Sequence, residues 1–228
     1  MRLDILVPVA TDFRNAEIQE EANKSKYCDV DIVVTNIEQG PVSIECDYDE
    51  AMAGKYIVEL AEKMESEGAD GIVLYCFAEP GLNACKEKLN IPVVGLREAA
   101  ISMASLLGDN IGVIAPLDNT KQIFSRALGS KVKHFVSLDL PVLEYINQEK
   151  VEKAVETKIQ QLIECGCDVV VFGCGSILGL DVIGMSRKYN VPVIEPIHAA
   201  TAACNYFIQR KLLQSKIAFP CPPEKEIL

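Results

Sequence analysis

Tryptophan is absent from the chain and histidine occurs only twice, at His134 and His198. With so few imidazoles and no C-x-x-C pair, the usual ligand spacings of a structural metal site are missing. Cys165 and Cys167 flank a single residue, a spacing that rarely lets two thiols reach one ion, so no metal is expected. Long apolar runs are also missing. Stretches such as Ile91 to Val94 and Asp168 to Phe172 fall far short of the roughly 18 residues that span a bilayer, so no transmembrane segment is expected. Basic residues are scarce: 22 Lys and Arg stand against 33 Asp and Glu, a formal net charge of −11. Such a surface repels phosphate backbones and anionic headgroups, which argues against nucleic acid and membranes as partners. The opening MRLDILVPVATDFRN is broken by Asp4 and has no small-residue cleavage site, so it reads as a first strand and not as a signal peptide. Nor is there a dinucleotide fingerprint, because Gly173, Gly175 and Gly179 put the third glycine in the wrong place. No cofactor is expected.

What is present is an ordinary globular composition, 49% hydrophobic and 24% charged, over 228 residues, enough for one large domain or two small lobes. Nine cysteines without a secretory signal, and in odd number, read as reduced thiols in a reducing compartment, the cytoplasm. Short β-branched runs alternate with longer helical patterns, the mark of βαβ units and a parallel sheet. The spacing predicts strands over Leu3–Val7, Val30–Asn36, Gly71–Tyr75, Val93–Gly95, Ile111–Ala115, Lys133–Ser137, Val169–Gly173 and Val193–Glu195. Helices are predicted over Tyr48–Ser66 and Gln148–Glu164, where apolar residues recur on one face, and the Pro-rich tail Phe219–Pro223 reads as the end of the last helix.

An internal repeat carries most of the information. GADGIVLYCFAEPGL, Gly68 to Leu82, matches GCDVVVFGCGSILGL, Gly166 to Leu180, at a constant offset of 98 that also pairs Asp70 with Asp168 and Cys76 with Cys174. Downstream, KLNIPVVGLREAA (Lys88 to Ala100) matches KYNVPVIEPIHAA (Lys188 to Ala200) at an offset of 100. A repeat of this length predicts two parallel α/β lobes, residues 1–97 with the last helix and tail (205–228) forming the first and residues 98–204 the second. Each repeat starts with a helix-ending glycine, continues as a buried strand, and reaches its cysteine where the strand meets a turn. In open parallel sheets that is where ligands bind. Cys76 and Cys174 are therefore the candidate catalytic pair, whereas Cys28, Cys46, Cys85, Cys165, Cys167, Cys204 and Cys221 lack this context and read as packing residues. A cysteine at a helix start feels unsatisfied N–H groups and the helix dipole, both of which favour thiolate. Two such thiols on opposite faces of a carbon acid suit stereoinversion, one removing a proton and the other returning it. The N–H groups of the turns at Phe77, Ala78, Gly175 and Ser176 are candidates to stabilise the carbanion's oxygen. Ser43, beside Gly40-Pro41, offers either a hydrogen bond to substrate or a turn. Asp70 and Asp168 read as satisfying the turns that launch their strands. His198, which pairs with Glu98 in the repeat, reads as a helix-start or supporting residue.

Four blocks, GPVSIECDYDE (Gly40 to Glu50), YCFAEPGLNACKE (Tyr75 to Glu87), IPVVGLREAA (Ile91 to Ala100) and FGCGSILGL (Phe172 to Leu180), resemble those of the Asp/Glu/hydantoin racemase family, most closely its hydantoin racemase branch. The resemblance covers nearly the whole chain. It implies two pseudo-symmetric, flavodoxin-like lobes with the active site in the cleft between them, no cofactor, and Cys76 and Cys174 as the two acid/bases. The reaction implied is racemisation of a 5-substituted hydantoin or related amino-acid derivative. Pro8 and Asn119 complete the candidate substrate contacts with Ser43, Phe77, Ala78, Gly175 and Ser176. The chain departs from the branch at Val7–Thr11, where an Asn-Pro-Asn-Thr block is usual, and at Ile177, where Met is usual. Phe77 and Gly175 stand where aspartate and glutamate racemases follow their cysteines with polar residues, which suggests a flatter, less charged substrate than a free diacid. The other readings are an aspartate/glutamate-type racemase, a relative of arylmalonate decarboxylase or maleate isomerase, and a non-catalytic small-ligand binding protein. Expected partners are a small-molecule substrate and further copies of the chain in a homo-oligomer.

Overall fold

The computed structural model describes residues 1–25, 29–140 and 144–223. The chain alternates strand and helix throughout. The first half runs β1 (Arg2–Val7), α1 (Asn15–Lys24), β2 (Asp31–Asn36), α2 (Asp47–Ser66), β3 (Gly71–Leu74), α3 (Leu82–Lys88), β4 (Val93–Gly95) and α4 (Leu96–Ala104). The second repeats it with β5 (Ile111–Ala115), α5 (Asp118–Leu128), β6 (His134–Ser137), α6 (Gln148–Glu164), β7 (Val169–Phe172), α7 (Val182–Tyr189), β8 (Val193–Ile194) and α8 (Pro196–Arg210). Each half forms a four-stranded parallel sheet, in the order β2-β1-β3-β4 and β6-β5-β7-β8. The predicted α/β class and the duplication are both present.

The strands read as continuous apolar runs because both faces of each sheet are covered. With a period of two, Leu3, Ile5 and Val73 of the first sheet and Val113, Val169 and Val171 of the second point to one shared core. Leu6, Ile72 and Leu74 point outward beneath α2 and α3, and Ile114, Val170 and Phe172 do so beneath α6 and α7. The shared core takes its helical side chains from α1, α4, α5 and α8, so these form a layer between the sheets. Two of them cross over. Helix α4 follows the first sheet yet packs on β7, and α8 follows the second sheet yet packs on β3 and β4 of the first.

The two repeat glycines end their helices as expected: Gly68 after α2 has φ 93° and Gly166 after α6 has φ 88°, backbone values that a Cβ disfavours. Asp168 then accepts hydrogen bonds from the Asn110 and Asp109 amides, and Asp70 from the Arg2 amide, which fastens the strand starts. The tail differs from expectation. Helix α8 stops at Arg210, Lys211 turns into left-handed backbone, and the chain crosses the first half. There Lys216 Nζ donates to the carbonyls of Lys86, Glu87 and Leu89, and the Gln214 amide bonds the backbone of Val93. The carbonyls at the end of α3 need donors, and the tail supplies them.

The crossover of α8 leaves little room at Gly71, where a Cβ would lie 2.8 Å from both Cys204 Sγ and Ile208 Cδ1. Gly71→Ala is expected to lower stability by about 1–3 kcal/mol, as overpacked cores do, read as a reduced urea midpoint with unchanged slope.

Candidate active site

At the carboxyl ends of the strands a single cavity receives residues from both halves. Strand β3 runs into Tyr75 and Cys76, β7 into Gly173 and Cys174, and both cysteines line the cavity. Of the predicted substrate contacts, Pro8, Ser43, Phe77, Ala78, Gly175 and Ser176 line it as well. Asn119 does not. Its Nδ2 donates to the Glu45 carbonyl at 2.7 Å, so it braces the segment that forms one wall of the cavity without facing the interior. Arg126 of the same helix pairs with Asp47 at 2.7 Å, a second tie between α5 and that segment.

The two cysteine turns are bolted together. Tyr75, buried beside Cys76, donates its hydroxyl hydrogen bond to the carbonyl of Gly175, next to Cys174. Gly175 has no room for a side chain, because a Cβ there would lie 3.0 Å from the Tyr75 ring and from Leu96 Cδ1. Phe77 packs edge-on against Phe124 of α5 with centroids 4.9 Å apart, carrying the first turn onto the second half. Arg14 reaches across from the first half to donate to the Ser176 carbonyl at 2.9 Å and pairs with Glu17 at 2.6 Å.

The thiols are not at helix starts. Helix α3 begins only at Leu82 and α7 at Val182, so the electrostatic help comes from turn amides and not from a helix dipole. The amides of Ala78 and Glu79 face Cys76. The Ser176 amide lies 3.4 Å from Cys174 Sγ. Burial outweighs these donors. It pushes the Cys76 thiol up to about 12, aided by nearby Cys174 and Glu50, and it raises Cys174 as well, against the amide and hydroxyl of Ser176 and the charge of Arg14. The expected shift toward thiolate is thus reversed in sign, because desolvation of a charged sulfur costs more than two or three N–H donors return. Both thiols line the one cavity.

Cys85, Cys167 and Cys204 are buried in the cores as packing residues. Cys165 and Cys221 are exposed, and Cys28 lies outside the described residues. Cys46 departs from expectation, since it lines the cavity at the start of α2.

Among the residues missed by sequence reasoning that also belong to the site are Arg14, Asn15, Glu45, Glu50 and Tyr75. Glu50 ends the GPVSIECDYDE block, and its acidity there was the available signal. Behind Tyr75, between α1 and α8, Glu21, Glu195 and His198 form a buried acidic cluster. It is the one group among the described residues whose ligand atoms lie close enough, within 4.8 Å, to hold a metal. His198 Nε2 lies 3.0 Å from Glu21 Oε1, and Lys24 pairs with the other oxygen of Glu21 at 2.9 Å. Burial, with the nearby charge of Glu21, pushes the Glu195 carboxyl up to about 8 against the opposing charge of Lys24.

Two thiols, the residues of the two cysteine turns and apolar side chains line the cavity. Two thiols at equivalent strand ends of a duplicated α/β fold, open to one cavity, are what an isomerase of the racemase class would need. The chain belongs to the Asp/Glu/hydantoin racemase family, whose model matches residues 8–204. It is 28% identical over 240 residues to a hydantoin racemase of Paenarthrobacter aurescens, with 100% of each chain covered. Among solved structures it resembles an allantoin racemase from Klebsiella pneumoniae, with TM-score 0.90, 28% identity, and 100% and 96% of the two chains covered. The fold is also that of an allantoin racemase from Pseudomonas fluorescens, with TM-score 0.93, 24% identity, and 100% of both chains covered.

Proposed function

We propose that this racemase acts on a 5-substituted hydantoin or a closely related cyclic ureide such as allantoin, by proton transfer between the ring stereocentre and Cys76 on one face and Cys174 on the other. The observation that carries the proposal is that both thiols, one from each repeat, open onto the same cavity. Relatives named hydantoin racemase and allantoin racemase support the ring chemistry.

The raised thiols fit such a reaction. A thiol held near 12 is seldom ionised, but once ionised it is a strong base, which narrows its gap to a weakly acidic carbon. After one thiolate takes the proton, the carbanion's charge moves onto the ring carbonyl, and the turn amides at Phe77, Ala78, Gly175 and Ser176, residues of the cavity lining, are the candidates to receive it. The opposite thiol then delivers its proton to the other face, leaving the enzyme with the two roles exchanged.

The charge inside the cavity favours a neutral substrate over an amino acid or diacid. Arg14, the cavity's guanidinium, is already engaged by Glu17 and the Ser176 carbonyl, whereas Glu45 and Glu50 add negative charge to the lining. A free carboxylate would meet repulsion there without a cation to offset it.

Chiral chromatography on single enantiomers of 5-substituted hydantoins, allantoin, aspartate and glutamate tests the proposal. Racemisation of the ureides alone is expected. Racemisation confined to aspartate or glutamate, or none of any compound, would overturn it.

A further inference from the structure

Resting on the cyclic-ureide reading above, we infer that Glu50 is the residue that makes the site specific for such rings, by accepting a hydrogen bond from a ring N–H with its Oε1. The starting point is an imbalance in the cavity's hydrogen bonding. Glu50 lines it from the first turn of α2, and its Oε1 is buried with no partner among the described residues. Asn15, also in the lining, has a buried Oδ1 in the same condition. An amide can be turned to offer its NH₂ instead, but an ionised carboxylate has only acceptors to present. A buried acceptor without a donor costs free energy, and one facing a cavity is satisfied by whatever fills it.

The neighbours of Glu50 do not satisfy it. Arg97 and Arg126 favour its charge from a distance, yet Arg97 is paired with Glu79 at 3.0 Å and Arg126 with Asp47 at 2.7 Å. Asp47 and Asp49 oppose its charge, and burial raises its carboxyl from the ordinary range. The donor that is missing is thus one the ligand must bring. Hydantoins carry two ring N–H groups, N1–H beside one carbonyl and N3–H between two, and the imide-type N3–H is a stronger donor than an ordinary amide. Aspartate, glutamate and malonates would put a carboxylate in the same place, which Glu50 repels. The residue therefore selects twice, by attraction to the ring and by rejection of the acid.

Glu50 lines the same cavity as both cysteines. A ring anchored by one N–H on Glu50 is held at its edge, which leaves the two ring faces for the two sulfurs. This is a positioning and recognition role, and the proton transfers at the stereocentre belong to the cysteines.

The test uses 5,5-dimethylhydantoin, which has no proton at C5 and no stereocentre, and so can be bound but not racemised. Its affinity, and those of its 1-methyl and 3-methyl derivatives, are measured by calorimetry on the wild-type protein and on Glu50→Gln. The variant, whose amide oxygen can accept only a neutral hydrogen bond, is expected to bind the parent ring about tenfold more weakly, the loss of charge assistance in that bond. One of the two N-methyl derivatives should bind wild-type protein correspondingly weakly and lose nothing further in the variant, whereas the other should still respond to it. Equal affinities of wild type and variant for the parent ring would overturn the inference, as would equal binding of all three rings by the wild type. No binding of the parent ring by the wild type at millimolar concentration would overturn it too. Racemisation assays on the same proteins separate the two claims. Turnover of hydantoins by the wild type with an unchanged KM in Glu50→Gln removes Glu50 and leaves the proposed function standing. Binding that depends on Glu50 without turnover of any ureide leaves the recognition role and removes the reaction.

Discussion

Cys76→Ser and Cys174→Ser are each expected to lose racemisation by about 10²–10⁴-fold while retaining isotope exchange of one enantiomer. Serine keeps a hydroxyl of similar shape but is far too weak a base at neutral pH to take the thiol's place. In Cys76→Ser the remaining Cys174 removes the proton from the enantiomer whose hydrogen faces it and returns a solvent deuteron to that same face. That gives exchange with retained configuration. In Cys174→Ser the exchanging enantiomer is the opposite one. Incubating each variant with each pure enantiomer of a 5-substituted hydantoin in deuterated water, and following mass and optical rotation together, reads both quantities. Near-wild-type racemisation by either variant would refute the two-thiol mechanism. The Tyr75 hydroxyl on the Gly175 carbonyl makes the comparison clean, since it fixes the two turns independently of either sulfur.

The second large effect concerns stability and the cluster behind Tyr75. The Glu195 carboxyl, ordinarily near 4.5, is pushed to about 8 by burial and by neighbouring Glu21, against the opposing charge of Lys24. A folded-state value above the unfolded one means that the folded protein holds a proton the unfolded chain has released. Its contribution is complete below about 4.5 and is lost as pH rises through the window up to about 8. The total is on the order of a few kcal/mol at most. Wild-type melting temperature should therefore fall as pH climbs from 5 to about 8. Glu195→Gln keeps a donor for Glu21 without a proton to lose, so its melting curve should be flatter across the window and should overtake the wild type at the alkaline end. Parallel pH profiles for the two proteins would show that Glu195 carries no such linkage.

Much of this was legible in the sequence, for identifiable reasons. Strands buried on both faces carry uninterrupted β-branched runs, so Val169–Phe172 and Ile111–Ala115 announce themselves, and α6 has the boundaries its periodicity predicts, Gln148–Glu164. The cysteines were legible through the repeat, which isolates Cys76 and Cys174 from seven other thiols that composition alone cannot separate. What stayed hidden depends on contacts distant in sequence. Asn119 sits at the start of α5 and its side chain is spent on the Glu45 carbonyl, a partner 74 residues away. The direction of the thiol shifts was hidden as well, because it is set by how deeply the cavity is enclosed and not by the residues next to each sulfur. Glu50 and Arg14 look like surface charges on amphipathic helices until the fold brings them to the cavity.

The exchange of helices between the sheets bears on how such a chain arises and how it can be divided. Because α4 covers the second sheet and α8 the first, neither half of the chain, cut between α4 and β5, would carry the helix its own sheet requires. A half-length ancestor with the same arrangement would be whole only as a pair of chains, each lending its terminal helix to the other, a domain-swapped dimer. Fusing the two copies head to tail then turns an intermolecular loan into an intramolecular one and removes its dependence on concentration. It also frees the two copies to diverge. On one side of the old symmetry axis position 98 is Glu, held by Lys86; on the other its counterpart is His198, held against Glu21.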